Sequence, residues 1–197
     1  MVETITPVVH GGRRSRYRRS VALHTLGATL AAGLLGIALG AAGVALRAPW
    51  GSVGWLVVCL VALAYALREL AGVPIPIPDR RRQVPAWWRT FYSPPVAALL
   101  YGAALGAGFP TFLSFGTFVA VAAGALASGS PLVGLLLCAP FGLARGLSIA
   151  VAGDAEGAEE AGAVVDRLEA IDATRVPRAV NGVALLGVAA AIAQTLV

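Results

Sequence analysis

The sequence predicts an all-α fold: a polytopic transmembrane helix bundle of about five spans, one of them long and broken by glycine and proline. Three observations carry this expectation. Hydrophobic residues make up 58% of the chain and charged residues only 13%, whereas a soluble domain is nearer half apolar and a quarter charged. The apolar residues gather into runs of about 20 or more, the length an α-helix needs to cross a ~30 Å hydrocarbon core. The basic residues are all arginine, 15 of them, and they cluster beside these runs at 13–19 and 80–89, where the positive-inside rule puts them.

Residues 1–20 form a basic N-terminal segment, expected in the cytoplasm and anchored by Arg13, Arg14, Arg16, Arg18 and Arg19. Residues 21–197 read as a single transmembrane domain. Its first span, 21–46, carries no charge and holds Gly27, Gly33, Gly36, Gly40 and Gly43. Gly36 and Gly40 have the G-x-x-x-G spacing that lets two helices approach closely. A turn at Arg47–Gly51 leads to the second span, 52–71, with Cys59 near its middle and Arg68 and Glu69 closing its far side.

The loop 72–93 alternates Pro74, Pro76 and Pro78 with Val73, Ile75 and Ile77, which predicts an extended chain because proline cannot continue a helix. Arg80, Arg81, Arg82 and Arg89 with the pair Trp87 and Trp88 read as a cytoplasmic anchor at headgroup level.

The third run, 95–127, is too long for one ordinary span and is interrupted at Gly106, Gly108 and Pro110. It is either one kinked helix or two half-helices broken at Gly108, Phe109, Pro110 and Thr111. Breaks at membrane depth are tolerated only against protein or a water-filled cavity, and transporters place their sites there. Gly108, Phe109, Pro110, Thr111, Ser114 and Thr117 are therefore candidate lining for a polar path; the serine and threonines could instead bond back to their own helix.

A turn at Ser128–Pro131 precedes the fourth span, 132–152, which contains Cys138 and Arg145. Arg145 is the ionised residue well within a span; it either joins the candidate path or reaches the nearer interface along its own stem. The loop 153–177 is acidic, and Val164, Val165, Leu168 and Ile171 recur at helical spacing, which predicts a short amphipathic surface helix. The last span is 178–197. With the N-terminus in the cytoplasm, the loops 72–93 and 153–177 fall inside and the C-terminus outside a bacterial cytoplasmic membrane.

The net charge of +5 is absorbed by this topology, so nucleic acid is not expected as a partner. The expected partners are the lipid bilayer and either a second copy of the chain or a membrane or periplasmic protein. The two cysteines, Cys59 and Cys138, lie apart in apolar runs with no Cys-x-x-Cys or His/Cys cluster, so neither a metal site nor a cofactor is indicated. His10 and His24 stand alone, His24 near the start of the first span at the expected interface. No nucleophile with a base and no phosphate loop is present, so an enzyme is not expected.

Tyr17 to Leu70 resembles the second and third spans of the CcdA/DsbD transmembrane family. Gly106-Ala107-Gly108-Phe109-Pro110-Thr111 stands where that family has a glycine-rich approach to a Trp-Thr-Pro-Cys-type break. Ser130 to Ser148 and Arg175 to Ala193 resemble its fifth and sixth spans. The resemblance implies a relative of the conduits that carry reducing equivalents for cytochrome c biogenesis, lacking the family's first span. Thr111 follows Pro110 where cysteine is expected, and a hydroxyl cannot exchange disulfides. Cys59 and Cys138 fall in spans where that family does not place its pair, so the chain is expected to lack dithiol chemistry of its own; they read either as small apolar filler or, should they meet, as a redox pair. The same fold group resembles LysE-type exporters, which implies a small-solute carrier, for an amino acid or anion, as an alternative. A membrane scaffold or assembly factor is the third.

Overall fold

The computed structural model describes residues 13–77, 87–108, 115–153 and 158–196. Among these residues there are helices and no strands. In chain order they are α1 (Arg14–Ala45), α2 (Gly51–Ala71), α3 (Trp88–Phe91), α4 (Pro94–Gly106), α5 (Thr117–Ser128), α6 (Pro131–Leu147), α7 (Ala158–Asp172) and α8 (Val176–Leu196). A 3-10 turn, Ser148–Ala152, continues α6. The helices Arg14–Ala45, Gly51–Ala71, Pro131–Val151 and Val176–Leu196 are long and apolar enough to cross a membrane.

The side chains are sorted by size in the sense that lipid, not water, requires. Ala28, Ala32, Ala62, Ala66 and Ala125 are fully buried, whereas Leu34, Val53, Leu132, Leu136 and Val180 are 63–65% exposed. Against water, an outward row of leucine and valine would forfeit roughly 25 cal/mol for each Å². Against acyl chains it forfeits nothing, and the small residues inside let backbones pack closely. The chain is a helical membrane bundle.

The most intimate packing joins α1 to α6 and α4. A Cβ placed on Gly36 would overlap the Gly134 carbonyl, and one on Gly40 the Ser130 carbonyl. Farther along α1, Gly142 faces Ala28 and Ala32, and Gly146 faces Thr25, so α6 runs antiparallel to α1. Helix α4 crosses the first half of α1, with Gly102 against His24, Gly106 against Ala28, and Gly27 against Leu99. The glycine spacing of the first span is thus used within the chain, helix to helix.

A second antiparallel pair, α2 and α8, meets through larger groups: Cys59, Tyr65, Leu185 and Ala189 share one buried cluster with Ala62, Ala66 and Ala120. Helix α5 touches α1, α2, α6 and α8 and so ties the two sets together. The extended segment after α2 folds back along it, as the prolines predict. Tyr65 donates its hydroxyl to the Pro76 carbonyl at 2.9 Å, and Arg68 Nε donates to the Ile75 carbonyl at 2.9 Å.

The long third run is two helices, not one kinked one. At 1.5 Å per residue, α4 with 13 residues and α5 with 12 reach about 20 Å and 18 Å, each short of a ~30 Å core. The break begins at Gly108, whose φ of +69° only glycine adopts readily. A second left-handed glycine, Gly129 at φ +56°, closes α5 and lies against Ala48 and Pro49. The acidic segment forms the expected helix, α7, with Glu159 and Glu160 in its first turn, where the helix dipole favours them.

Candidate functional site

The residues singled out around the break separate into two places. Gly108 packs against the Phe118 ring, so closely that a Cβ there would stand 2.6 Å from Phe118 Cε1. The Phe118 and Phe141 ring centroids are 4.8 Å apart, and the Arg145 guanidinium carbon lies 5.7 Å from the Phe141 centroid. Gly108 and Arg145 are thereby linked through two stacked rings. That distance allows a cation–π attraction. Thr117 points elsewhere: its hydroxyl meets Asn181 Oδ1 of α8. Phe109, Pro110, Thr111 and Ser114 lie outside the described residues, as do Arg80, Arg81 and Arg82.

Thr117 leads to a polar cluster built around Glu69. The Glu69 side chain is only 1% exposed, and its Oε1 accepts from Arg68 Nη1 at 2.5 Å. The same oxygen accepts the backbone N–H of Gly116 at 3.2 Å. Glu69 sits in the last turn of α2, where that helix's own dipole disfavours a carboxylate. The placement is tolerated because the N-terminal end of α5 points at it and Arg68 is its neighbour. Glycine at 116 is what admits this contact, since a Cβ there would stand 2.6 Å from Tyr65 Cβ. Gly182 does the same for α8, bringing it within 3.3 Å of Glu69 Cβ by the same construction.

Two polar atoms of this cluster are buried with no hydrogen-bond partner among the described residues: Glu69 Oε2 and Asn181 Nδ2. An unmet buried acceptor costs about 1–3 kcal/mol, and more when it is charged. A cavity of about 280 Å³ opens beside Glu69, lined also by Gly72, Arg175, Arg178 and Ala179. Sequence reasoning treated Glu69 as a closing charge. The signal was nonetheless present, because it is the sole acidic residue in any of the apolar spans, and such residues are commonly functional.

His24 also departs from expectation. It is fully buried between α1 and α4, not interfacial, and its Nδ1 lies 3.3 Å from the Ala98 carbonyl. Gly102 lets the α4 backbone come that close. Cys59 and Cys138 are both free and buried. Cys59 faces α8, with Sγ 3.5 Å from the Ala189 carbonyl, while Cys138 packs against Gly36 of α1. Among the described residues no group of His, Cys, Asp and Glu could hold a metal ion.

The arginines Arg13, Arg14, Arg16, Arg18 and Arg19 are exposed at the start of α1. Trp87, Trp88, Phe91 and Tyr92 form an aromatic patch around α3, with Trp88 5.7 Å from the Tyr101 ring of α4, and Trp87 53% exposed. Arg89 lies within α3.

No family model matches the chain, and no solved structure matches it. Curated relatives do. The chain is 36% identical over 132 residues to a methylamine utilization protein MauF from Paracoccus versutus, covering 66% of this chain and 48% of the relative. It is 34% identical over 131 residues to that of Paracoccus denitrificans, covering 66% and 47%. It is 32% identical over 152 residues to that of Methylophilus methylotrophus, covering 71% and 50%. The chain spans about half the length of the curated relatives it matches.

These relatives overturn the resemblance to the CcdA/DsbD family and its LysE-like fold group. That resemblance rested on the spacing of small and apolar residues. The structure shows what the spacing serves: glycines of α1, α4 and α6 face partner backbones, a demand common to closely packed membrane helices. The terms drawn from cytochrome c biogenesis fall with it. What this membrane-helix bundle is similar to, over 66% of its length, is the methylamine utilization protein MauF.

Proposed function

We propose that this chain is a multi-pass component of the bacterial cytoplasmic membrane that serves methylamine utilisation as a scaffold or assembly factor. The observation that carries the reading is the 36% identity over 132 residues with a methylamine utilization protein. The disposition of polar groups supports the scaffold role. Glu69 to Gly116, Thr117 to Asn181 and His24 to Ala98 each fasten one helix to another. The arginines of the N-terminal segment and the loop 72–93 support a cytoplasmic N-terminus, with the C-terminus outside.

The test is deletion of the coding region in its own host, with growth on methylamine as sole nitrogen source compared with growth on ammonium. Growth on methylamine is expected to be lost, growth on ammonium kept, and a restored chain is expected in the detergent-extractable membrane fraction. Unimpaired growth on methylamine would sink the reading. Because Cys59 and Cys138 face different helices, the double change Cys59→Ser and Cys138→Ser is expected to restore growth as well as the wild type does. Failure of the double variant to complement, with normal membrane levels, would assign the thiols a role that a scaffold does not need.

A further inference from the structure

On the lipid-facing side of the seam between α1 and α6 lies a groove of about 650 Å³. Its rims are Leu26 of α1 and Leu143 and Leu147 of α6, 44–49% exposed. Between them the lining is small: Ala22, Thr25 and Thr29 of α1, and Ala150. The two helices come close beneath it, since a Cβ on Gly146 would stand 2.7 Å from Thr25 Cα. The threonines add no polarity to the trough. Thr29 donates its hydroxyl back to the Thr25 carbonyl at 2.8 Å, and Thr25 Oγ1 is buried away from the surface. A polar occupant would find no partner there, so the trough suits hydrocarbon.

The groove has a defined depth and width. The span Pro131–Val151 has 21 residues, about 31 Å at 1.5 Å per residue, which matches a ~30 Å hydrocarbon core. Tyr17 is buried against its end, donating its hydroxyl to the Ile149 carbonyl at 3.5 Å. Arg18, the charged residue of the groove, therefore stands at headgroup level. From Arg18 to Thr29 the helix rises about 16 Å, about half the hydrocarbon thickness, so the groove is one leaflet deep. Its volume over that length gives a cross-section of about 40 Å². An α-helix 10 Å across needs about 80 Å², so a partner helix does not fit inside. At the mouth the charge is one-sided. Arg18 is exposed, Arg14 stands one turn earlier on the same face, and the first turn of α1 holds no acidic residue. The positive end of the helix dipole adds to them, and an anion is favoured there.

We infer that this groove seats one phospholipid with an anionic headgroup, its acyl chain along Ala22, Thr25 and Thr29 and its phosphate on Arg18. The assignment rests on the groove, its depth and its charge, and stands whether or not the chain serves methylamine utilisation. A free phosphate compound offers the same charge, but the apolar trough favours the lipid.

Native mass spectrometry of the purified full chain in mild detergent tests it, with phosphatidylglycerol and phosphatidylcholine of the same acyl chains supplied in turn. Phosphatidylglycerol is expected to be retained about fivefold better, the worth of one arginine near an anionic headgroup. Arg18→Gln is expected to bring the two lipids within about twofold of each other. Arg19→Gln removes the same charge about 100° farther round the helix and is expected to leave the preference intact. Ala22→Phe fills the trough from an exposed position and is expected to lower retention of both lipids. Equal retention of the two lipids by the wild type, or equal losses from Arg18→Gln and Arg19→Gln, overturns the headgroup contact. Unchanged retention by Ala22→Phe overturns the trough as the acyl seat. Displacement of bound phosphatidylglycerol by millimolar soluble glycerophosphate overturns the lipid as occupant, and so does a dimer in the same spectra that Ala22→Phe dissociates.

Discussion

Between α1 and α6 backbone meets backbone, Gly36 against Gly134 and Gly40 against Ser130. Between α2 and α8 the space is filled by Tyr65, Cys59 and Leu185, and the end of the seam holds Glu69 and Asn181. At the first seam the helices meet through backbone and small side chains, and Thr25 Oγ1, beside Gly146, is buried there with no hydrogen-bond partner among the described residues. The second carries a buried carboxylate oxygen with capacity left over, Glu69 Oε2, together with the Asn181 amide. The difference separates the part of the molecule that holds the fold from the part with chemistry to offer.

The comparison is broken most severely at the first seam. Gly36→Leu or Gly134→Leu places atoms where the opposite carbonyl already lies, and a backbone cannot rotate away as a side chain can. A loss of about 3 kcal/mol or more is expected, read as collapse of the monodisperse peak in detergent gel filtration. A normal peak from either variant would mean that the two helices are not seamed there.

At the second seam the expected cost is smaller. Glu69→Ala strips the Gly116 N–H and Arg68 of their shared acceptor, worth about 1–3 kcal/mol in thermal unfolding. Glu69→Gln keeps an amide oxygen for Gly116 and is expected to lose less. If alanine and glutamine are equally mild, the carboxylate does not hold α5 in place.

Thr117→Val removes the hydroxyl that meets Asn181. Interhelical hydrogen bonds in membranes average about 0.6 kcal/mol, so the shift in thermal unfolding should fall below that of Glu69→Ala. A larger loss would move the centre of the polar cluster from Glu69 to Asn181.

The smallest effect sharpens the contrast from the other side. Gly187 of α8 has nothing within 4 Å of a built Cβ, unlike the seam glycines of α1. Gly187→Ala is expected to stabilise by up to about 1 kcal/mol through helix propensity. Destabilisation in the same thermal assay would reveal a contact on that face.

Legibility in the sequence followed the range of the forces involved. Helix length, apolar composition and the proline alternation at Pro74 and Pro76 act locally, and each apolar run holds a helix, although α1 begins at Arg14, inside the basic segment, and not at residue 21. Gly108 announced a break, and α4 does end there. The site was less legible. Arg145 and Thr117 were singled out together, yet one leans on Phe141 and the other meets Asn181. Glu69 was passed over as a terminal charge and His24 as an interfacial one, because burial depends on which helix arrives over them.

By itself the sequence determined that this chain belongs in lipid, since the balance of apolar and charged residues sets its solvent before any contact forms. It determined that each apolar run would be helical, because run length, glycine and proline act on the backbone nearby, but not that α1 would begin as early as Arg14. Only the tertiary structure decided which glycines face a backbone and which face open space, as Gly36 and Gly187 show. It alone placed an α5 amide on an α2 carboxylate. Those outcomes depend on the approach of segments 47 and 98 residues apart, Glu69 to Gly116 and Gly36 to Gly134, and no local pattern encodes such an approach.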